Sequence, residues 1–206
     1  MSLLEVICVI GVALILGALL LAALAPANTR ASRVHCVYNL KNVGLAFRIF
    51  AADNNDLFPF QIPVEKGGSL ELTNDVIAQL RILSNELSTP KILICPTRSV
   101  PQIYATNWLS LQSSNISYYV SLTTSSSQTN SILSGDAGFT YNGAVATNGI
   151  AALATNARVQ YPKPFHLKSD VANLCRSDGS VEQFNSSGFP SKLKSTPYLT
   201  NLFVMP

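Results

Sequence analysis

Residues 1–27 read "MSLLEVICVIGVALILGALLLAALAPA", and the run from Val6 to Ala25 carries no charge. The hydrocarbon core of a bilayer is about 30 Å thick, and a helix of about 20 apolar residues crosses it. This run is therefore long and apolar enough to form a transmembrane helix. A single acid, Glu5, stands at its start, where an ionised carboxylate is costly unless a partner compensates its charge.

The apolar run continues into an amphipathic segment, residues 28–53. Its apolar face recurs at helical spacing, at Val37, Leu40, Gly44, Phe47 and Ala51. We therefore predict one α-helix from about Ser2 to Asp53, roughly 75 to 80 Å long at the usual rise per residue. Residues 1–27 form its apolar half and residues 28–53 an amphipathic neck, which leads into a globular head, residues 54–206.

Pro26 lies inside this predicted helix, where it lacks a backbone N–H donor and disfavours the preceding turn. Gly11 and Gly17 lower the helix propensity nearby. We expect the helix to bend or to melt locally at this point.

The head begins with a turn-rich linker and a second, short helix. The segment "TNDVIAQLRILSNELS", residues 73–88, has Thr73 or Asn74 as its expected N-cap. Four apolar residues share one face of this helix: Val76, Leu80, Leu83 and Leu87.

Strand candidates follow this helix. They are "KILIC" (91–95), "ISYYVSL" (116–122), "SILSGD" (131–136) and the two arms of "VANLCRSDGSVEQF" (171–184). Asp178 and Gly179 predict a hairpin turn between those arms. The fold class is therefore α+β, a long N-terminal helix with a small head that contains a short helix and an antiparallel sheet. Asp136 is the only charged residue between Arg98 and Arg158, and we expect mobile loops in this stretch.

Charge is unevenly distributed along the chain. Residues 1–52 contain four basic residues, Arg30, Arg33, Lys41 and Arg48, and a single acidic one, Glu5. Residues 53–206 contain equal numbers of basic and acidic residues. A neutral head lacks the clustered basic face that nucleic-acid binding requires, so we expect no nucleic-acid partner. Basic residues after the span favour a cytoplasmic head by the positive-inside rule. Low charge and cysteines that can pair favour export, and a short basic leader ahead of Met1 would remove the conflict.

The chain has four cysteines. In an oxidising compartment, Cys36 after the apolar run and Cys95 at the end of "KILIC" are the first candidates for a disulfide, with Cys175 as an alternative partner for Cys36. Cys8 lies within the span, and we expect it to remain free and to pack as a small hydrophobic residue.

Motifs for catalysis are absent from the sequence: it contains no GxSxG, GxxxxGK[ST], HExxH or GxGxxG. We therefore expect the protein to have no enzymatic activity and to bind no cofactor. His35 is interpreted as a surface residue of the neck and His166 as a locally hydrogen-bonded residue. Asp136 and Asp178 are weak candidates for Ca²⁺, although turn formation explains both. The segment "SLTTSSSQTNS", residues 121–131, is interpreted as a solvated loop, with O-glycosylation as the alternative.

Several blocks together resemble one protein family. Three blocks are similar to type IV pilins and type II secretion pseudopilins: the N-terminal segment with Glu5 as its fifth residue, "CVYNLKNVGLAFRIFAADNNDLFP" (36–59) and "SDGSVEQ" (177–183). Met1 stands where most members have phenylalanine as the first mature residue. The resemblance is strong through Pro59 and patchy across the head.

The resemblance implies a structural subunit. Met1 would be the first residue after cleavage by a prepilin peptidase, and its amine would be methylated. The monomer would wait in the inner membrane until an assembly ATPase and a platform protein add it to a helical homo-oligomer, which would be extracellular or would span the periplasm. Related pseudopilins often hold calcium in the head. Helical hydrogen bonds between about Ala18 and Ala27 are expected to be lost in the filament.

Glu5 then requires a partner as the helix leaves the bilayer. We expect the N-terminal amine of Met1 to pair with it, on the same chain or on the neighbouring subunit. Two alternatives remain open at this point. One is a membrane-anchored exported binding module that holds a glycan and does not polymerise, and the other is a secreted enzyme with an uncleaved signal anchor. A pilus and a secretion pseudopilus are not distinguished by the sequence.

Overall fold

The computed structural model describes residues 2–98, 103–163, 165–166 and 170–206, with the backbone alone for residues 22–30. Helices form α1 (Leu3–Asp53), α2 (Val76–Arg81) and α3 (Phe189–Lys194). Strands form β1 (Tyr118–Ser121), β2 (Ile132–Asp136), β3 (Thr140–Tyr141), β4 (Ala144–Val145), β5 (Gly149–Ala154), β6 (Val159–Gln160), β7 (Val171–Arg176), β8 (Val181–Asn185) and β9 (Thr200–Met205). The chain is therefore α+β, as the sequence predicted.

The long helix begins and ends close to the predicted residues. Ser2 is its N-cap: the Ser2 hydroxyl accepts from the Glu5 N–H, and the Ser2 N–H donates to Glu5 Oε2 at 2.8 Å. At the other end Asp56, which has a positive φ, donates its N–H to the carbonyl of Ala51 at 2.8 Å and so closes the last turn.

Helix α1 continues through Gly17 and Pro26. The local melting that the sequence predicted at this point is therefore not found in the single chain. A proline removes one hydrogen bond, and the bonds of the flanking turns hold the helix on both sides. Loss of these bonds in a filament stays a prediction.

The sheet of the head has six strands in the order β5-β9-β1-β2-β7-β8, all antiparallel. A smaller sheet has the order β4-β3-β6. The predicted hairpin is confirmed, because β7 pairs with β8 and Gly179 takes a φ of 81° in the turn between them. That left-handed conformation strains any residue with a Cβ.

The six-stranded sheet separates two apolar cores. Along β1, Tyr118 and Val120 face α1 and α2, while Tyr119 faces the opposite side. The four apolar residues predicted on one face of the short helix, Val76, Leu80, Leu83 and Leu87, are all buried in the inner core. The helix is shorter than predicted, because α2 ends at Arg81 and a 3₁₀ turn, Ile82–Ser84, follows it, so Leu83 and Leu87 lie beyond α2. The outer core is largely aromatic and lies beneath α3, with Tyr119, Phe139, Tyr161, Phe184, Phe189 and Phe203 in mutual contact.

Three predictions about the head are wrong in detail. Asp75, not Thr73 or Asn74, caps α2, because it directly precedes the first helical residue and accepts from the N–H groups of Ile77 and Ala78. The "KILIC" segment is not a strand. It lies at the end of a short 3₁₀ helix, Pro90–Leu93, because Pro90 suits the first helical position and Thr89 caps it.

The third correction concerns the stretch between Arg98 and Arg158, which is more than loops on a small sheet. It contributes β3, β4 and β5 in addition to the predicted strands, and β5 pairs with β9 along its whole length. Small residues in "GIAALA", residues 149–154, hide the alternation that identifies a strand.

The neck of α1 meets the β7–β8 hairpin at Gly44. A Cβ at Gly44 would lie 2.3 Å from Cys175 Sγ on β7 and 3.4 Å from the Cα of Gly179 in the hairpin turn. The absence of a side chain at Gly44 is therefore what allows the helix to approach the sheet this closely.

We predict that Gly44→Ala destabilises the head by about 1 to 3 kcal/mol because it overpacks this contact, although alanine is the better helix former. Urea unfolding of the full chain in detergent, followed by Trp108 fluorescence, measures the change. A second substitution, Cys175→Ala, should recover part of the loss.

Gly11→Ala is the matched control, because in the part of the chain that the structure describes no atom lies within 4 Å of the added Cβ. Equal effects of Gly44→Ala and Gly11→Ala would contradict the packing argument.

Candidate functional site

The first candidate site is the surface of the N-terminal half of α1. The stretch Leu3–Leu21 has a mean hydropathy of 2.8 and none of it is buried. Thirteen large aliphatic side chains in it are exposed. By length and composition this helix can cross a membrane, and a signal sequence would pass the same test.

Glu5 lies at the start of this surface and is held by the capping box with Ser2. Among the described residues only its Oε2 atom is engaged, by the Ser2 N–H. A carboxylate in the first turn also interacts favourably with the helix dipole. The predicted partner, the amine of Met1, lies outside the described residues, so the pairing stays a prediction.

The neck carries a second exposed apolar face, which borders the β7–β8 hairpin at Leu45. Val34, Tyr38, Leu45 and Ile49 are 67%, 61%, 42% and 51% exposed. Their spacing places them along one side of the helix. Opposite them Leu40, Val43 and Phe47 are buried in the head. Helix α1 therefore presents apolar surface to the outside along both of its halves.

The predicted disulfide between Cys36 and Cys95 is confirmed. It joins the neck of α1 to Cys95, just beyond Ile94 at the end of the 3₁₀ helix Pro90–Leu93. In the chain-entropy model a loop of this length stabilises the fold by roughly 4 kcal/mol. Cys175 and Cys8 are free, and Cys8 is exposed in the single chain.

The second candidate site surrounds this disulfide inside the head. Thr97 Oγ1 lies 2.9 Å from Cys36 Sγ and 3.4 Å from Cys95 Sγ, and His166 Nε2 lies 3.3 Å from Cys95 Sγ. The backbone of His166 forms an antiparallel bridge with Arg98, which brings the imidazole over the disulfide. Asp136 Oδ2 lies 3.5 Å from the same Nε2 atom. All of these side chains except Arg98 are buried.

Asp136 is the acid at the centre of this cluster. Its Oδ2 atom accepts from the backbone N–H and the side-chain amide of Asn173, at 2.7 and 2.9 Å. Desolvation raises the pKa of Asp136, although His166, Asn173 and Arg98 act in the opposite direction. Desolvation also lowers the pKa of Arg98, whose guanidinium lies over the ring of Phe165. No described residue forms a hydrogen bond to Asp136 Oδ1.

The two weak calcium candidates are not brought together. Asp136, on β2, accepts from Asn173 of β7, while Asp178 lies in the turn beyond the end of β7. Asp178 is exposed and accepts from the Ser180 N–H at 2.8 Å, as a turn residue does. His35 is exposed on the neck, as expected.

Two features escaped the sequence reasoning. The spacing Ser2-x-x-Glu5 is a capping-box signature, which was visible in the sequence. The cluster of His166, Asp136 and the disulfide had no such signal, because its members come from separate parts of the chain. His166 does make the expected local bond, between Nδ1 and the Val171 carbonyl.

Comparison of the chain with protein-family models, with curated proteins and with solved structures finds no match. The resemblance to pilins and pseudopilins therefore stays an expectation from the sequence.

The buried thiol of Cys175 makes the free energy of unfolding depend on pH in the alkaline range. Burial, together with the charge of Asp178, raises the pKa of its thiol to about 12. An unfolded thiol has a pKa of about 8.5, so above that pH the unfolded chain loses a proton that the folded chain keeps. This contribution to stability is complete below about pH 8.5 and is lost progressively up to about pH 12.

We predict that Cys175→Ala removes about 2 kcal/mol of the stability lost between about pH 8 and about pH 10. Urea unfolding at both pH values measures it. An equal alkaline loss in Cys175→Ala and in the unmodified chain would contradict the prediction.

Proposed function

We propose that this chain is the structural subunit of a helical filament of the type IV pilus or type II secretion pseudopilus kind, assembled through α1. One observation carries the proposal: the first 19 residues of a continuous 51-residue helix, Leu3–Leu21, are apolar and exposed, while the C-terminal part of the same helix is built into a folded head.

The exposed half of α1 requires an apolar environment. Burying one large aliphatic side chain stabilises by about 1.5 to 3 kcal/mol, and thirteen are exposed between Leu3 and Leu21. The total exceeds the usual stability of a whole domain. Lipid tails cover this surface in a monomer, and the same half of neighbouring copies covers it in a polymer.

The neck supports packing between copies. Its outward face carries Val34, Tyr38, Leu45 and Ile49 beyond the segment that a bilayer covers. In a monomeric membrane anchor this second apolar face would stay exposed to water, whereas helices packed side by side bury both halves of α1.

Glu5 sets the register of the assembly in this proposal. Its carboxylate and the amine of Met1 are both charged at neutral pH, and each alone would suffer several kcal/mol of desolvation in the filament core. Pairing on the same chain or between neighbours relieves both penalties. Between neighbours, only one axial offset brings an incoming amine to a waiting carboxylate, whereas apolar contacts tolerate sliding. Methylation of the amine keeps its charge and therefore the pair.

The remaining parts of the proposal come from the resemblance. The monomer resides in the inner membrane after processing by a prepilin peptidase, and an assembly ATPase and a platform protein add it to an extracellular or periplasm-spanning filament. No reaction, cofactor or nucleic-acid partner is part of this function.

We predict that Glu5→Ala leaves export and the disulfide normal but stops or greatly slows assembly. The test expresses the chain in a host with an assembly machinery and compares the sheared surface fraction by immunoblot and electron microscopy. Glu65→Ala, which removes an exposed acid from the head, is the matched control and should assemble normally.

Abundant, regular filaments from Glu5→Ala would refute the role of Glu5. If the unmodified chain yields no filaments and stays in the membrane with its disulfide formed, the alternative of an anchored binding module replaces this proposal.

A further inference from the structure

Four side chains with metal-binding atoms meet in the inner part of the head. They are Cys36 on α1, Cys95 after the 3₁₀ helix Pro90–Leu93, Asp136 on β2 and His166 before β7. The ligand atoms of Cys36, Cys95 and His166 lie within 4.8 Å of one another, and Asp136 Oδ2 lies 3.5 Å from His166 Nε2. All four side chains are buried.

We propose that the reduced chain binds one Zn²⁺ through Cys36, Cys95, His166 and Asp136, and that the disulfide closes this site. Two sulfurs, an imidazole nitrogen and a carboxylate oxygen in a tetrahedral arrangement are a donor set that suits zinc. The proposal is independent of filament assembly.

The imidazole of His166 is oriented as a metal ligand. Its Nδ1 atom lies 2.5 Å from the Val171 carbonyl, which can only accept, so Nδ1 carries a proton. In the neutral ring Nε2 then presents a lone pair towards Cys95 Sγ and Asp136 Oδ2. Metal-binding histidines characteristically donate their other ring N–H to a carbonyl or a carboxylate in this way.

Two of the existing distances already suit a tetrahedral site. Around zinc, ligand bonds of about 2.3 Å to sulfur and about 2.0 to 2.1 Å to nitrogen or oxygen place sulfur about 3.6 Å from nitrogen and nitrogen about 3.3 Å from oxygen. The observed separations are 3.3 Å from Cys95 Sγ to His166 Nε2 and 3.5 Å from Nε2 to Asp136 Oδ2. Reduction lets the two sulfurs separate, and zinc requires about 3.8 Å between them.

Charge also favours the site. Two thiolates and the Asp136 carboxylate carry one negative charge more than Zn²⁺ neutralises, and the guanidinium of Arg98 acts on Asp136 with the opposite sign. The second oxygen, Asp136 Oδ1, is buried with no hydrogen-bond partner among the described residues. A cation beside this carboxylate compensates a charge that is otherwise expensive to bury.

The redox step balances with an external dithiol. The dithiol gives two electrons and two protons to the Cys36–Cys95 bond and becomes a disulfide itself. The two thiols of the chain then release their protons as Zn²⁺ binds. Thiol–disulfide exchange with an external disulfide reverses the sequence: that disulfide takes two electrons and two protons to become a dithiol, the Cys36–Cys95 bond forms, and Zn²⁺ is released.

The test uses the full chain with Cys8→Ser and Cys175→Ser, so that Cys36 and Cys95 are its only cysteines. The chain is produced reduced and purified in detergent without oxygen in the presence of a phosphine reductant. Titration with Co²⁺ should give the visible bands of tetrahedral thiolate-bound cobalt at one ion per chain, and Zn²⁺ should displace them. The same chain with its disulfide formed should give no bands.

Single substitutions assign the ligands. His166→Asn and Asp136→Asn should each weaken Co²⁺ binding at least tenfold, and His35→Asn, at an exposed position, should leave it unchanged. Trp108 fluorescence reports whether each chain is folded, and metal-driven folding of a reduced chain counts as binding. The proposal is overturned if the reduced chain gives no tetrahedral cobalt spectrum or does not fold with the metal. It is also overturned if His166→Asn binds Co²⁺ as tightly as its parent.

Discussion

The apolar half of α1 cannot remain exposed to water, and the rest of the molecule is arranged around that constraint. Within the residues that the structure describes, nothing buries its aliphatic surface between Leu3 and Leu21, and the inner core of the head contacts α1 from Cys36 onward. The head is therefore a folded unit attached to a long helix, and the apolar half of that helix has to be covered by lipid or by other copies of the chain.

Attachment of the head to this helix is consequently as important as the fold of the head itself. It is achieved at two levels along the neck. The Cys36–Cys95 disulfide fixes the helix to the segment that follows the 3₁₀ helix Pro90–Leu93, and the close approach at Gly44 places it against the β7–β8 hairpin. Between them Leu40 and Val43 are buried in the inner core. In the filament proposed above, a force applied to α1 would be transmitted to the sheet through these contacts.

The buried side chains of His166 and Asp136 beside the disulfide are not what a purely structural disulfide requires. A disulfide in an apolar core needs no imidazole or carboxylate, yet His166 and Asp136 lie against it, and both are buried. Such groups are costly to bury unless their hydrogen bonds are satisfied. Asn173 and the Val171 carbonyl satisfy part of that need, and the remainder is the basis for the metal site proposed in the reduced chain.

Local patterns in the sequence predicted the local parts of the structure. The apolar run and the helical spacing after it predicted α1, and Asp178 with Gly179 predicted the β7–β8 hairpin. Both signals depend on residues that are close together in the chain. Strand β5 was missed because small residues in it acquire their partner only from β9, far along the chain. Glu5 could be recognised from its position in the apolar run, whereas the contact of His166 with Cys95 depends on tertiary folding across more than seventy residues.

The most direct test of the central claim is a helical reconstruction by electron cryo-microscopy of material sheared from cells that export this chain. The account predicts filaments with residues 3–21 of α1 packed in the centre, the heads outside, and a carboxylate of Glu5 within hydrogen-bonding distance of a Met1 amine. Filaments held together only by their heads, with the apolar half of α1 outside the core, would contradict it.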